Sequence, residues 1–149
     1  MHKDYILREM TIEDVPKVAV IEKVCCSLPW SEGALSASLI QNYSYFVVVE
    51  VDDDIAGYGS VYVVAGEAEI INIAVKEQYR GNGIGKEIVM SLLLETENRN
   101  AKKTFLEVRE SNIPAISLYE KCGFEKVGIR KNFYERPVEN AVIMWKLEQ

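Results

Sequence analysis

A strand pattern gives way to a helix pattern at the segment QYRGNGIGK, residues 78–86. Glycine backbones adopt left-handed angles and let a ligand approach closely. Amide N–H groups at the start of a helix carry a partial positive charge and bind anions. Arg80 and Lys86 add full positive charges. The segment therefore predicts a phosphate-binding loop, and a mobile glycine turn before a helix is the alternative.

Two common phosphate-binding motifs do not fit this loop. A Walker A motif would need glycine at the position of Arg80 and a hydroxyl residue at the position of Glu87. A Rossmann fingerprint would need its third glycine at Lys86 or at Ile88. The loop therefore belongs to neither class.

Helices and strands are also predicted on the carboxyl side of the loop. Apolar residues at helical spacing follow from Ile84, and Pro114 and Gly123 have the positions that open and close a second helix. The predicted strands cover residues 104–108, 124–129 and 142–147. Residues 130–140 are predicted to form a polar loop.

On the amino side, a short strand is predicted over residues 5–9. A capping pair, Thr11 and Asp14, opens a helix that runs to Cys25, with Pro16 inside it. Ser31 caps a second helix. Strands over residues 45–51, 55–64 and 68–75 form a meander. Residues 70–75 are apolar almost throughout, which predicts a central strand covered on both faces.

The order of these elements predicts an α/β fold. Short turns give antiparallel neighbours, whereas the helical crossovers in the middle of the chain require parallel pairing there. We therefore expect a mixed, mostly antiparallel central sheet with helices on both faces. The 149 residues suffice for a single domain, residues 1–149, with its own core.

The charge balance limits the partners that the chain can have. Seventeen Lys and Arg against 23 Asp and Glu give a net charge of -6. That charge argues against nucleic-acid binding through phosphate neutralisation and favours a positively charged partner, such as an amine or a basic peptide. No apolar stretch approaches the roughly 20 residues that cross a bilayer, and no signal peptide is evident. We expect a cytoplasmic protein that does not bind membranes.

The histidine and cysteine content excludes several chemistries. His2 is the single histidine, so mechanisms that need an imidazole base beside a nucleophile are excluded. The cysteines are Cys25, Cys26 and Cys122, which form neither a disulfide framework nor a zinc motif. We predict small buried or half-buried thiols and no metal site.

The loop from Arg80 to Gly85 resembles the pyrophosphate-binding loop of the GCN5-related N-acetyltransferases. The predicted element order matches the fold of that family over nearly the whole chain. The resemblance implies acetyl-coenzyme A as cosubstrate. It assigns coenzyme binding to Arg80, Gly81, Asn82, Gly83, Ile84, Gly85, Lys86 and Asn112.

The same resemblance places Ile73, Ala74 and Val75 at a splay in the sheet. Their backbone would pair with the pantetheine arm like an additional strand, and an N–H there could stabilise the developing oxyanion. These residues also fit an ordinary core strand. Both roles are compatible, because backbone and side chains act separately.

A narrower resemblance is carried by five segments: PWS (29–31), LEVRESN (106–112), LYEKCGF (118–124), RKNFY (130–134) and AVIM (141–144). They are similar to the ribosomal-protein-alanine N-acetyltransferases, which acetylate the N-terminal alanine of a small-subunit ribosomal protein. One departure is Asn140, which stands where related sequences often carry Asp.

The resemblance also implies catalytic roles. Glu107 would accept the proton of the amine, directly or through one water; pairing with Arg109 or a lysine at the sheet edge is the alternative. Tyr119 would serve the leaving thiolate. A thiol with a pKa near 8.5 is a stronger acid than tyrosine, so full proton transfer is uphill by roughly 2 kcal/mol and we expect a hydrogen-bond donor. The alternative for Tyr119 is an amphipathic helix residue with a hydrated hydroxyl.

Three further residues have two interpretations each. Asn112 could cap the helix that contains Pro114, bind the coenzyme, or do both. Trp30 and Tyr134 lie in predicted loops, where exposed aromatic side chains often bind a peptide; half-buried packing is the alternative.

The sequence therefore predicts transfer of acetyl from acetyl-coenzyme A to the N-terminal α-amino group of a protein, by direct attack and without a covalent enzyme intermediate. Two alternatives remain open. One is an acetyltransferase for small amines such as a polyamine or an antibiotic. The other is a coenzyme A-binding partner protein without catalysis of its own.

Overall fold

The computed structural model of the protein describes residues 4–148. The strands are β1 (Ile6–Glu9), β2 (Ser44–Val51), β3 (Asp54–Val64), β4 (Glu67–Val75), β5 (Lys103–Arg109), β6 (Glu125–Tyr134) and β7 (Glu139–Leu147). The helices are α1 (Val15–Cys25), α2 (Glu32–Leu39), α3 (Ile84–Asn98) and α4 (Ile113–Lys121). The strands form one sheet in the order β1-β2-β3-β4-β5-β7-β6. β4 and β5 are parallel and the other pairs are antiparallel, which confirms the predicted mixed sheet.

Helices cover both faces of the sheet, as expected. On one face, called the α3 face, α3 and α4 pack through Ile88, Leu92 and Ile116. On the other, called the α1 face, α1 and α2 pack through Val18 and Leu35. Successive residues of β2 enter the two cores alternately, as the pleat of a strand requires.

The sheet opens between its two parallel strands. β4 and β5 pair over three rungs, of which the last joins Glu69 to Phe105. Both strands continue beyond that rung without pairing to each other, and we call this region the β4–β5 opening. A bulge at Ile71 interrupts the ladder between β4 and β3 at the same level. The expectation that residues 70–75 are covered on both faces is therefore wrong in part: residues 71–73 and 75 are half-buried, because β5 has diverged.

The polar loop predicted over residues 130–140 is also wrong. β6 continues to Tyr134 and β7 begins at Glu139, so only a short turn separates them. β6 is an edge strand whose side chains are exposed up to its last residue. Polar residues mark exposure to solvent there and do not mark a loop.

The first predicted helix is divided. A 3-10 turn covers Ile12–Asp14, and α1 begins at Val15. Pro16 consequently lies in the first turn of α1, where a missing N–H breaks no helical hydrogen bond. The predicted cap of α2 is confirmed, since Ser31 Oγ accepts the N–H of Ala34 at 3.1 Å.

Candidate active site

Glycines in the loop are needed for its backbone conformation at two positions and for packing at a third. Gly81 and Gly83 have φ angles of +82° and +80°, which favour glycine. A Cβ at either position would meet nothing within 4 Å, so packing does not require glycine there. Gly85 differs, since its Cβ would lie 3.3 Å from Leu118 Cδ2 and would press on α4.

The amino end of α3 supplies N–H groups to this loop. Gly83 caps α3, and the first backbone bond of the helix runs from the Glu87 N–H to the Gly83 carbonyl at 3.1 Å. The N–H groups of Ile84, Gly85 and Lys86 precede that bond and have no helical acceptor. They are the donors that an anion at this end would use.

Two polar side chains of the loop form hydrogen bonds to backbone carbonyls within the protein. Asn82 Nδ2 donates to the carbonyl of Tyr79 at 3.1 Å and so fixes the turn. Arg80 Nε donates to the Val75 carbonyl at 2.9 Å, and its terminal nitrogen lies 3.6 Å from Cys25 Sγ. The structure therefore places the Arg80 guanidinium against the end of β4. Coenzyme binding by either side chain stays a prediction, as it does for the exposed Lys86.

The last residues of β4 border the opening. Ile73 and Val75 pack against the α3-face core, and Ala74 is buried on the α1 face. Their side chains serve the core while the edge of their strand has no β5 partner. Such an edge can accept an extended chain through backbone hydrogen bonds. The two predicted roles of these residues are thus compatible in the structure.

Glu107 lies on β5, two residues beyond the last β4–β5 rung. Its carboxylate is 3.2 Å from Arg130 Nε, in a geometry that forms an ion pair but no hydrogen bond. The Oε2 atom is buried and accepts no hydrogen bond from residues 4–148. In the alternative interpretation of Glu107, its ion partner was Arg109 or a lysine; the structure gives Arg130 instead, because β6 extends further than predicted and carries Arg130 there.

One tyrosine, Tyr134, feels the charge of Glu107, and a second, Tyr119, feels the charge of Tyr134. Tyr134 ends β6 half-buried, with the Arg109 guanidinium 4.6 Å from its ring centroid. Burial, followed by the charge of Glu107, raises the pKa of Tyr134 to about 12. Burial also raises the pKa of Tyr119 above its usual range, with a smaller contribution from Tyr134. The structure thus brings Glu107 near Tyr134 and Tyr134 near Tyr119, which sequence analysis had predicted separately.

Arg109 was missed as a site residue. Its guanidinium donates to Ser27 Oγ at 2.9 Å, and to the backbone carbonyls of Glu135 at 2.8 Å and Pro137 at 3.0 Å. It also donates to Glu139 Oε1 at 3.1 Å. These bonds join the loop after α1 to the β6–β7 turn, and we call this arrangement the Arg109 clamp. No local signal could have revealed it, since the partners lie far apart in the sequence.

A second cluster that sequence analysis missed surrounds Glu22, which is 1% exposed. Glu22 Oε2 accepts the backbone N–H of Trp30 at 3.1 Å. Glu22 Oε1 accepts the Tyr58 hydroxyl and, at 3.2 Å, Asn72 Nδ2. Trp30, predicted to bind substrate, is itself half-buried against the α1-face core. Its loop is therefore tied to the sheet at the edge of the opening.

Two asparagines have structural partners. Asn112 caps α4, because its Oδ1 accepts the N–H of Ala115 at 3.2 Å. Its coenzyme role stays a prediction. Asn140 Oδ1 accepts the N–H of Asn132 at 3.0 Å, which fixes the irregular part of the β6–β7 hairpin.

The three cysteines are free thiols in the structure. Cys25 and Cys26 are half-buried free thiols, and Cys122 is a buried one. Across residues 4–148, no three His, Cys, Asp or Glu side chains are grouped so that they could hold a metal ion. In the same part of the chain, no helix has the length and apolar character that a membrane span requires. His2 lies outside the described residues.

The site as a whole combines a glycine turn with unbonded N–H groups at the start of α3, an unpaired strand edge, and a buried carboxylate with Tyr134 nearby. Such an arrangement suits an acyltransferase whose donor is extended and carries phosphate. The sequence profile of the Acetyltransferase (GNAT) family matches residues 15–124, and the chain belongs to that family. It is therefore an N-acetyltransferase that uses acetyl-coenzyme A.

Within this family, the chain is similar to proteins that share one particular name. A Haemophilus influenzae protein named ribosomal protein bS18-alanine N-acetyltransferase is 36% identical over 142 residues, 93% of this chain and 96% of that protein. The Escherichia coli K12 protein of the same name is 35% identical over 88% of this chain and 89% of its own length. A Bacillus subtilis protein, whose name carries a provisional qualifier before the same words, is 39% identical over 93% of both chains.

Solved structures agree with this similarity. The ribosomal-protein-S18-alanine N-acetyltransferase from Escherichia coli superimposes with a TM-score of 0.89 at 31% identity, covering 97% of this chain and 94% of that one. Ard1 from Thermoplasma volcanium gives the same TM-score at 25% identity, covering 97% of this chain and 98% of its own. The predicted fold and family are confirmed.

Proposed function

We propose that the chain transfers the acetyl group of acetyl-coenzyme A to the α-amino group of an N-terminal alanine on a ribosomal protein. The relatives named for that reaction match this chain over nearly its whole length. The observation that carries the proposal is the position of Glu107, whose buried Oε2 lacks a hydrogen bond just beyond the point where β4 and β5 separate. A ribosomal acceptor would place the reaction in the cytoplasm.

The residues present fit the coenzyme. Gly81 and Gly83 leave open space beside their backbones, as an approaching diphosphate requires. The free N–H groups at the start of α3 would bind it. The unpaired edge of β4 over residues 73–75 would pair with the amide-containing arm, and Asn112 lies at the end of β5 opposite.

The amine must lose a proton before it can attack. An α-amino group has an ordinary pKa near 8, so it is mostly ammonium at neutral pH. Glu107 supplies a buried oxygen, Oε2, that accepts no hydrogen bond from residues 4–148, and Arg130 forms an ion pair with the same carboxylate. We assign proton acceptance to Glu107, directly or through one water.

Acetyl-coenzyme A supplies a thioester whose carbonyl carbon forms the new C–N bond while the C–S bond breaks. A backbone N–H of the free β4 edge would stabilise the negative charge on the carbonyl oxygen. Tyr119 would donate a hydrogen bond to the departing sulfur. Because burial raises the pKa of Tyr119, complete proton transfer to a thiolate is more unfavourable than the roughly 2 kcal/mol that ordinary pKa values give.

The acceptor peptide would lie between the loop that carries Trp30 and the hairpin that carries Tyr134. The Arg109 clamp holds these two segments at a fixed separation. The net charge of -6 favours a basic peptide over an acidic one.

Steady-state kinetics test the proposal. A peptide that copies the ribosomal protein's alanine N-terminus should be acetylated, and mass spectrometry should place the acetyl group on its α-nitrogen. Turnover of a polyamine or an antibiotic without turnover of the peptide would favour a small-amine acetyltransferase. Coenzyme binding without acetylation of any amine would favour a non-catalytic partner protein.

A further inference from the structure

Asn72 occupies a position at the opening that neither the predicted site nor the mechanism above uses. It follows the β4 bulge directly and is half-buried. Its side chain reaches Glu22 of α1, so it lies on the α1 face. Glu107 shares that face, because its neighbours along β5 belong to the α3-face core.

The orientation of the Asn72 amide is determined by its partners. Glu22 is a carboxylate and accepts hydrogen bonds only, so the nitrogen of the amide must face it, at 3.2 Å. The amide oxygen accepts the hydroxyl of Ser60 at 2.7 Å. One N–H of the amide remains, and it makes no hydrogen bond to residues 4–148.

Both partners are themselves rigid. Ser60 is fully buried on β3, and Glu22 is 1% exposed. Glu22 also accepts the Tyr58 hydroxyl and the Trp30 backbone N–H, so it cannot rotate without breaking those bonds. A donor fixed by buried neighbours needs little reorganisation to bind an acceptor in the reacting complex.

The geometry points to a carbonyl oxygen as the acceptor of the remaining N–H of Asn72, with Glu22 as the positioning residue that fixes it. This inference rests on the proposed function. Under the proposed function, two carbonyls would come to this place, that of the thioester and the first peptide carbonyl of the acceptor. Both offer an oxygen that accepts a hydrogen bond. The peptide carbonyl stays neutral, whereas the thioester carbonyl gains negative charge when the amine attacks.

Kinetics of Asn72→Ala with two amines distinguish the two carbonyls. One amine is the alanine-initiated peptide, and the other is alaninol, which keeps the amine and methyl group but lacks the carbonyl. A peptide carbonyl predicts that the KM of the peptide rises about tenfold while alaninol kinetics stay unchanged. A thioester carbonyl predicts that kcat falls about 100-fold with both amines, since a fixed donor to a developing oxyanion is lost.

Ser38→Ala is the control variant for effects that arise from lost stability alone. The hydroxyls of Ser38 and Tyr62 are 2.6 Å apart and form a partly buried contact between α2 and β3, away from the opening. We expect a similar loss in Tm for Ser38→Ala and Asn72→Ala, with unchanged kinetics for Ser38→Ala. Glu22→Gln should reproduce the Asn72→Ala kinetic pattern in weaker form, because one amide oxygen cannot serve all the donors that meet there.

Kinetic constants for Asn72→Ala within twofold of wild type with both amines would overturn the inference, whatever the change in Tm. Failure of the proposed function looks different. In that case the wild-type chain would not acetylate the alanine peptide at all, and Asn72→Ala would be measured with whichever amine the wild type does acetylate.

Discussion

The two sides of the β4–β5 opening differ in the kind of group they present: backbone groups on the donor side and side chains on the acceptor side. On the donor side, the features that we assign to coenzyme binding are backbone features: left-handed glycines, free N–H groups at the start of α3, and the unpaired edge of β4. On the acceptor side, the features are side chains held in networks, around Arg109 and around Glu22. Substitutions should therefore affect the donor side through backbone conformation and the acceptor side through lost side-chain contacts.

Backbone groups suit the coenzyme, and side chains suit the acceptor. A coenzyme is the same in every member of a family, and backbone donors bind its diphosphate and amide groups without depending on side-chain identity. An acceptor differs from one enzyme to the next, and side chains on loops are the parts that can vary while the sheet stays fixed. Each prediction below separates the two sides, in order of expected effect.

Glu107→Gln should cause the largest change. Loss of a general base lowers kcat/KM by about 100-fold to 10,000-fold, and coenzyme A affinity should stay nearly unchanged. Peptide kinetics and calorimetry measure the two quantities. Glu110→Gln removes a neighbouring exposed carboxylate and should behave as wild type. Loss of coenzyme affinity in Glu107→Gln would show that the base assignment is wrong.

Tyr119→Phe should lower kcat about 10-fold to 100-fold, the range expected for one hydrogen bond to a charged atom. Burial raises the pKa of Tyr119, so its phenol stays protonated below its ordinary value of about 10. The pH profile of kcat between about pH 6 and pH 9 should therefore keep its shape in the variant. Disappearance of a basic limb in that range would instead identify Tyr119 as a proton donor.

Gly83→Ala tests the donor side. An alanine at φ +80° costs about 1 kcal/mol or more, and relief of that strain distorts the loop. We expect the KM of acetyl-coenzyme A to rise at least about fivefold while the KM of the peptide is unchanged. Gly66→Ala is the matched control, since Gly66 has φ +83° in the β3–β4 turn and also meets nothing within 4 Å. An equal rise in that control would mean that general strain, and not loop contact, is responsible.

Arg109→Lys should have the smallest kinetic effect. One ammonium cannot bridge the several acceptors that the planar guanidinium joins, so the peptide KM should rise a few-fold and the unfolding free energy fall by about 2 kcal/mol. Denaturant unfolding and peptide kinetics measure these effects. Arg99→Lys is the control: Arg99 joins Glu95 to the backbone carbonyl of Asn42 on the opposite part of the sheet. Equal kinetic effects in both variants would contradict a role for the clamp at the acceptor site.

Most of the fold could be predicted because its signals are local. Ser31, Pro114 and Gly123 fix helix ends through the conformations of single residues, and each of those predictions is confirmed. The hairpin of β6 and β7 was mispredicted because an edge strand resembles a loop in composition. Whether a polar stretch pairs with a neighbour depends on which strand lies beside it, and that is not a property of the stretch.

By itself, the sequence determined the glycine loop, the helix caps and the strand pattern, because φ preferences and hydrophobic periodicity act over a few neighbouring residues. Only the tertiary structure decided that Arg130 pairs with Glu107, that Arg109 joins two loops and that Glu22 fixes Asn72. Those contacts follow from strand order and register, which place side chains tens of residues apart within hydrogen-bond distance. The free energy that fixes order and register comes from burying both faces of the whole sheet, so no single segment encodes it.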